Sequence, residues 1–230
     1  MRFSVIIATQ NEGYHIGPSL KRLRQISHQE PLEIIVVDGA STDDTVAQAR
    51  PHADLVLEHG VANRGEQLHL GAGKAAGSML LFLPGEAQLP GNWQQVLEHF
   101  WLAPGLGKVA ATVFSVEFGT GGAFRLASWL VNAEARWRGR ADLRGGLCTT
   151  ADIYRQSGGF PPVPCLEDRL FSERLRPFGG IAVLPEKAWP SANLLHRYGL
   201  LGCARRRLWL ETRLALGSTP ERLWRDGCAF

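Results

Sequence analysis

Residues 34–45 read Ile34-Ile-Val-Val-Asp-Gly-Ala-Ser-Thr-Asp-Asp-Thr45. Four β-branched residues in a row make a run too short for a helix and apolar on both alternating faces, the pattern of a strand covered on both sides in a parallel sheet. The polar stretch from Asp38 ends that strand. Ser41-Thr-Asp-Asp44 reads as a capping box, in which a hydroxyl and a carboxylate satisfy the free amides at a helix start. A helix over Thr42 to Ala49 is therefore expected.

Working outward, the same alternation recurs. Strands are expected at Phe3 to Ala8, Glu33 to Asp38, Asp54 to Glu58 and Met79 to Leu83. Ile16, Leu20 and Leu23 recur at i, i+4, i+7 between the first two, and Glu66 to Ala76 reads as a helix before the fourth. Three crossovers within the first 80 or so residues define βαβ units around a mostly parallel sheet. Further on, Gly91 to Ala103 reads as a helix, Val109 to Phe118 as a strand, and Gly122 to Trp137 as a helix apolar on two faces. Gly158 to Pro164 is a loop. An acidic helix from Glu167, a strand at Ile181 to Leu184 and basic helices from about Gly199 complete the chain. The expected organisation is one α/β domain over 1–192 and a basic helical extension over 193–230 packed on it.

Composition excludes several classes. The chain has 230 residues, 45% apolar and 20% charged, with net charge +3. That is a globular composition, and the charge is too small for binding nucleic acid by phosphate neutralisation alone. Residues 193–230 hold seven Arg against Glu211, Glu221 and Asp226, so the segment carries +4 and the remainder is near −1. The longest apolar run, Met79 to Leu83, is far short of the roughly 20 residues of a spanning helix. Phe3 to Ala8 is too short for a secretory signal. The expectation is a cytoplasmic chain. Cys148, Cys165, Cys203 and Cys228 are scattered without a C-x-x-C pair, which indicates neither a zinc cluster nor a disulfide framework.

In an open parallel sheet, ligands bind beyond the carboxyl ends of the strands. The segments there are Thr9-Gln-Asn-Glu12, Asp38-Gly-Ala-Ser41, Asn63-Arg-Gly65 and Pro84-Gly-Glu86. Their order and spacing resemble the family-2-type glycosyltransferases of GT-A fold, which begin with a strand ending in an Asn-Glu loop and continue with Val-Val-Asp-Asp/Gly-x-Ser-x-Asp-x-Thr. Arg64-Gly-Glu-Gln-Leu-His-Leu-Gly71, Gly158-Gly-Phe-Pro161 and Glu167-Asp168 extend the resemblance to about residue 190. Leu89-Pro-Gly-Asn-Trp93 is similar to a small single-domain bacterial subgroup of that family.

The resemblance implies a Rossmann-like, mostly parallel central sheet flanked by helices, with C-terminal helices, and inverting transfer of a sugar from a nucleotide-diphosphate donor. A donor of that kind needs a carboxylate to grip ribose or base. Asp38, with Glu12 beside it, is placed for this; the alternative is that Asp38 only caps the next helix or orders its turn, and Ser41 is already available as that cap. Arg64 is placed to reach a diphosphate, and Gly65 to let backbone approach it. A divalent cation, Mg²⁺ or Mn²⁺, is implied at the end of the fourth strand. Relatives place Asp-x-Asp or His-Ala-Asp there, whereas this chain has Pro84-Gly85-Glu86, leaving Glu86 as a ligand with His196 as a candidate second. Asp168, with Glu167, matches the family's base.

Two motifs depart from the subgroup. Besides Pro84, Arg144 in Leu143-Arg-Gly-Gly146 replaces an Asp and inverts the local charge, which suggests an acceptor or donor bearing an anionic group. Arg136, Arg138 and Arg140 with Trp129 and Trp137, and Arg205-Arg-Arg207 with Trp209, suit peripheral contact with an anionic membrane, a lipid-phosphate acceptor, or a plain solvated helix face. The rival expectation is a catalytically degenerate homologue that binds a nucleotide or a partner. A nucleotidyltransferase is disfavoured because Ala8 to Gly13 lacks a Gly-rich loop with Lys or Arg.

Overall fold

The apolar runs form strands because both of their faces are covered. In the computed structural model, which describes residues 1–27, 32–104, 107–191 and 193–228, the first half is β1 (Phe3–Thr9), α1 (Gly13–Ile26), β2 (Leu32–Gly39), α2 (Thr45–Ala49), β3 (Leu55–His59), α3 (Arg64–Lys74), β4 (Met79–Pro84) and α4 (Trp93–Leu102). The second half is β5 (Val109–Val116), α5 (Gly122–Arg138), a 3₁₀ turn at Leu143–Gly145, β6 (Leu147–Thr150), α6 (Ala151–Gln156), α7 (Glu167–Leu175), β7 (Gly180–Ala188), α8 (Asn193–Ala215) and α9 (Pro220–Leu223). The expected boundary after residue 192 falls on a residue outside the described ones.

The described strands form one seven-stranded sheet in the order β3-β2-β1-β4-β6-β5-β7. β1, β2, β3 and β4 are mutually parallel. β6 runs antiparallel to both β4 and β5, and β7 is parallel to β5. Two reversals through β6 bring β5 and β7 back into the direction of β4, so six strands end on one edge. Side chains alternate across the sheet. Val5, Ile7, Ile34, Val36, Leu81 and Leu83 meet Ile16, Leu20, Trp93 and Leu97 of α1 and α4 on one face. Ile6, Leu80, Phe82 and Leu147 meet Leu68, Tyr154, Phe160 and Phe171 on the other. Phe82 lies 4.8 Å from Phe160 and 5.2 Å from Tyr154, ring centroid to centroid.

The expected strands and crossover helices are present, with three differences. α2 begins at Thr45 because the Ser41 hydroxyl donates to Asp38 rather than capping a helix at Thr42. β6 and α6 were not expected. Strand Leu147–Thr150 has only four residues and follows two glycines, so it has no periodicity to detect. β7 continues to Ala188, beyond the expected Leu184, because its second half pairs with Ser115 and Val116 after a register shift.

At the C-terminal end, Arg207 and Arg140 pair with Glu134, and Arg140 and Arg169 pair with Glu211. These ion pairs tie α8 to α5 and α7. No helix among the described residues is long and apolar enough to cross a membrane.

Candidate active site

The loop after β1 and the turn after β2 lock together. The Asn11 amide donates to the Ser41 hydroxyl over 2.8 Å, and Asn11 Oδ1 accepts from the Thr42 amide over 2.9 Å. Asp43 accepts the Gly13 amide at 3.0 Å. The Thr45 hydroxyl, followed by the Gly13 and Thr45 amides, holds the Asp43 carboxyl below its usual range. Asp38 is buried and accepts both the amide and the hydroxyl of Ser41. Asp38 thus orders its own turn, and Ser41 serves that turn rather than α2. Gln67, which sequence reading missed, is buried on α3 and donates to the carbonyls of Thr9 at 3.0 Å and Val37 at 2.8 Å.

Arg64 opens α3, where Asn63 caps the helix by accepting the Glu66 amide. Gly65 permits a close approach, but of the chain to itself. Its amide donates to the Val163 carbonyl at 3.0 Å, and a Cβ there would strike the backbone at Pro161 and Val163. The Gly65 position is explained by this loop contact and not by room for a ligand. The same contact seats the Gly/Pro-rich loop over the start of α3 and delivers α7. Leu166, in the left-handed region at φ 61°, turns the chain into that helix. Its first residue, Glu167, accepts from Arg64 at 3.0 Å.

Two groups of carboxylates therefore flank Arg64. On one side, burial first and then repulsion from Glu86 push the Glu12 carboxyl up to about 7, against a hydrogen bond from Thr9 and the attraction of Arg64. Glu86 is held beside Glu12 by the tight turn that closes on the Pro84 carbonyl. On the other side, burial, then Glu167 and Asp142, push Asp168 up to about 7, with the Arg169 amide and Arg64 opposing. Glu167, followed by Asp168 and Glu12, raises the Arg64 pKa against the effect of burial.

Arg144 stands near Asp168 but is not a bare cation. Its Nε donates to both oxygens of Asp142, at 2.9 and 3.1 Å, and its guanidinium lies 5.1 Å from the Phe118 ring centroid. Burial pushes the Asp142 carboxyl up, but Arg144 outweighs it and the net direction is down. Asp142 thus offsets the charge that Arg144 brings, which weakens the case for an anionic acceptor group. The spacing of Asp142 and Arg144 across one 3₁₀ turn was the only signal for this pair. His196 is exposed on α8 with its ring 5.2 Å from that of Phe124. Among the described residues, no group of three or more His, Cys, Asp or Glu side chains is arranged as a metal site.

A parallel sheet with one inserted antiparallel strand, and carboxylates gathered at its edge around an arginine, is the architecture of a GT-A glycosyltransferase domain. The family profile of glycosyl transferase family 2 matches residues 4–157, and the chain belongs to that family. No curated sequence matches it. The fold is similar to that of the mannosyltransferase PcManGT from Pyrobaculum calidifontis, solved in complex with GDP-Man and Mn²⁺. The TM-score is 0.68 at 18% identity over 89% of this chain. S. aureus TarS 1-349 with UDP-GlcNAc matches at TM-score 0.62 and 19% identity over 83% of this chain. Glucosyl-3-phosphoglycerate synthase of Mycobacterium tuberculosis, with Mn²⁺, UDP and glucosyl-3-phosphoglycerate, matches at 0.61 and 16% over 89%. The match covers 64% of the mannosyltransferase chain, 58% of the TarS chain and 79% of the synthase chain.

Proposed function

We propose that the chain transfers a sugar from a nucleoside-diphosphate donor to an acceptor hydroxyl with inversion, Asp168 acting as the base. The observation that carries this reading is Asp168 itself, a carboxylate at the ligand-binding edge of the sheet whose pKa is pushed up to about 7. A base of that strength is half ionised at neutral pH and matched to taking a proton in the transition state. The acceptor oxygen bonds to the anomeric carbon as the bond from that carbon to the β-phosphate oxygen breaks. The acceptor proton passes to Asp168, and the nucleoside diphosphate leaves with the bonding pair. Glu167 holds Arg64 at 3.0 Å, where its guanidinium can offset charge gathering on the leaving diphosphate. Asp38, fixed by Ser41, keeps lone pairs for a ribose hydroxyl or base amine.

The residues that follow β1 and β4 fit a divalent cation. Glu86 and Glu12 offer two hard oxygen donors whose mutual repulsion favours a positive charge between them, and Mg²⁺ or Mn²⁺ takes the rest of its shell from phosphate and water. When bound, such an ion supplies charge stabilisation for the diphosphate. His196 is not needed in this set. Support for donor and ion comes from the mannosyltransferase solved with GDP-Man and Mn²⁺ and from TarS solved with UDP-GlcNAc.

The test is a thermal-shift panel of nucleoside diphosphates and their sugars with and without Mn²⁺, followed by product analysis. A donor at about 100 times its Kd adds roughly 2.7 kcal/mol to the native state. Asp168→Asn is expected to keep that shift and to lose about 10²-fold or more in turnover. Unchanged turnover removes Asp168 as the base, and silence across the whole panel removes donor binding. Pro84, which offers no ligand where relatives carry one, favours a second reading as a nucleotide- or partner-binding homologue without catalysis. A thermal shift with no product formed by the unaltered chain would select that reading.

A further inference from the structure

We propose that the outward face of α5, with the neighbouring outward face of α8, docks on an anionic lipid bilayer. This docking does not depend on the reaction assigned above. α5 turns Ala127, Ser128 and Ala135 inward, yet the opposite side, where Ala133 is buried between larger side chains, is also apolar. Leu126, Trp129, Leu130 and Trp137 follow one another at helical spacing along that side, with Trp129 54% and Trp137 76% exposed. The two indole rings meet edge to face at 5.9 Å. On α8, Leu201 and Leu208 are 81% and 68% exposed.

Charge decides what covers this face. Arg125 and Arg138 border the α5 stripe, Arg136 reaches back to the Ser115 hydroxyl, and Arg205 lies within the α8 stripe. The one acidic residue of α5, Glu134, is turned to Arg140 and Arg207 and stands 4.0 Å from Arg138, and the one acidic residue of α8, Glu211, is turned to Arg140 and Arg169. Arginines outnumber the two acids they pair with, so the outward faces carry net positive charge. Apolar Trp and Leu with flanking arginines match the acyl boundary and phosphates of an anionic bilayer. A second copy suits the face poorly, because a two-fold contact would set these arginines against themselves.

The inward side of the same helix adjoins the candidate active site. Ser128 of α5 accepts the Phe118 amide at 3.0 Å, and the Phe118 ring lies under Arg144. Docking by α5 would therefore bring the Asp168 edge close to the lipid surface.

The test is flotation with vesicles of phosphatidylcholine alone and of phosphatidylcholine mixed with phosphatidylglycerol. The protein is expected to float with the anionic vesicles at low salt, to ignore the neutral ones, and to be released near 1 M salt, where screening acts over about 3 Å. Trp129→Ser with Trp137→Ser is expected to lower binding about tenfold or more. Arg125→Glu with Arg205→Glu is expected to lower it at least as far, since each basic residue contributes about fivefold. All four side chains are exposed, and an unchanged thermal transition checks that the variants fold. Three results would overturn the proposal: no flotation at low salt, variants that float as the parent does, or a dimer abolished by the Trp variant in a protein that ignores vesicles.

Discussion

The guanidinium of Arg64 donates to Oε1 of Glu167 over 3.0 Å and so joins the first residue of α3 to the first residue of α7 across 103 positions. Glu167 is 2% exposed, which makes Arg64 its compensating charge as well as a candidate phosphate contact. Arg64→Ala is expected to strand a buried carboxylate and to cost about 2–3 kcal/mol in a urea titration. Donor-induced thermal shifts should shrink in the same variant. Full stability in Arg64→Ala would show that the pair does not hold the two helices.

Asp168 gives a pH signature with a definite sign. Its pKa rises from 3.8 to about 7 on folding, so between about pH 4 and pH 7 the native state keeps a proton that the unfolded chain releases. Stability from this group is complete below about pH 4 and is lost as pH rises through 7. Asp168→Asn removes that slope and should gain roughly 1–3 kcal/mol relative to the parent at pH 8. Turnover has the opposite dependence, rising through about 7 as the base ionises. Urea midpoints at pH 5 and pH 8 and a rate profile over the same range check both signs.

Glu12 and Glu86 should bind a divalent cation with a readout independent of turnover. With a nucleoside diphosphate present, Mn²⁺ is expected to raise the melting transition of the parent and of Asp168→Asn. Glu86→Gln should lose at least half of that rise. An equal rise in Glu86→Gln would place the ion elsewhere.

Ala40 occupies the left-handed region at φ 58° in the turn after β2. A side-chain-bearing residue pays about 1 kcal/mol for that conformation, and glycine does not. Ala40→Gly is expected to raise stability by about 0.5–1 kcal/mol, read as a higher urea midpoint at constant slope.

Strands β1, β2 and β4 were legible because each holds a run of four or more apolar residues ended by a polar turn, the pattern of a parallel strand covered on both faces, and the half-buried edge strand β3 was legible from its shorter Leu55-Val-Leu57 run. β6 was not, since four residues after two glycines carry no period, and what makes them a strand is the exposed flank of β4. The site was legible residue by residue but not as a set. Strand ends pointed to Glu12, Asp38 and Glu86, and the loop before α7 pointed to Asp168. That Arg64 serves Glu167, that Asp142 offsets Arg144, and that Gly65 makes room for Val163 all depend on contacts between distant segments or within one turn. Periodicity encodes none of those contacts, and spacing hints only at the Asp142–Arg144 pair.

Gln67 closes the account of the sheet edge. The carboxyl ends of parallel strands present carbonyl oxygens, the negative poles of their peptide dipoles, where a polyphosphate would have to approach. Gln67 spends both hydrogens of one amide on the Thr9 and Val37 carbonyls. Two carbonyl poles at the ends of β1 and β2 are thereby paired within the protein, so neither stands bare at the edge where the proposed donor would sit.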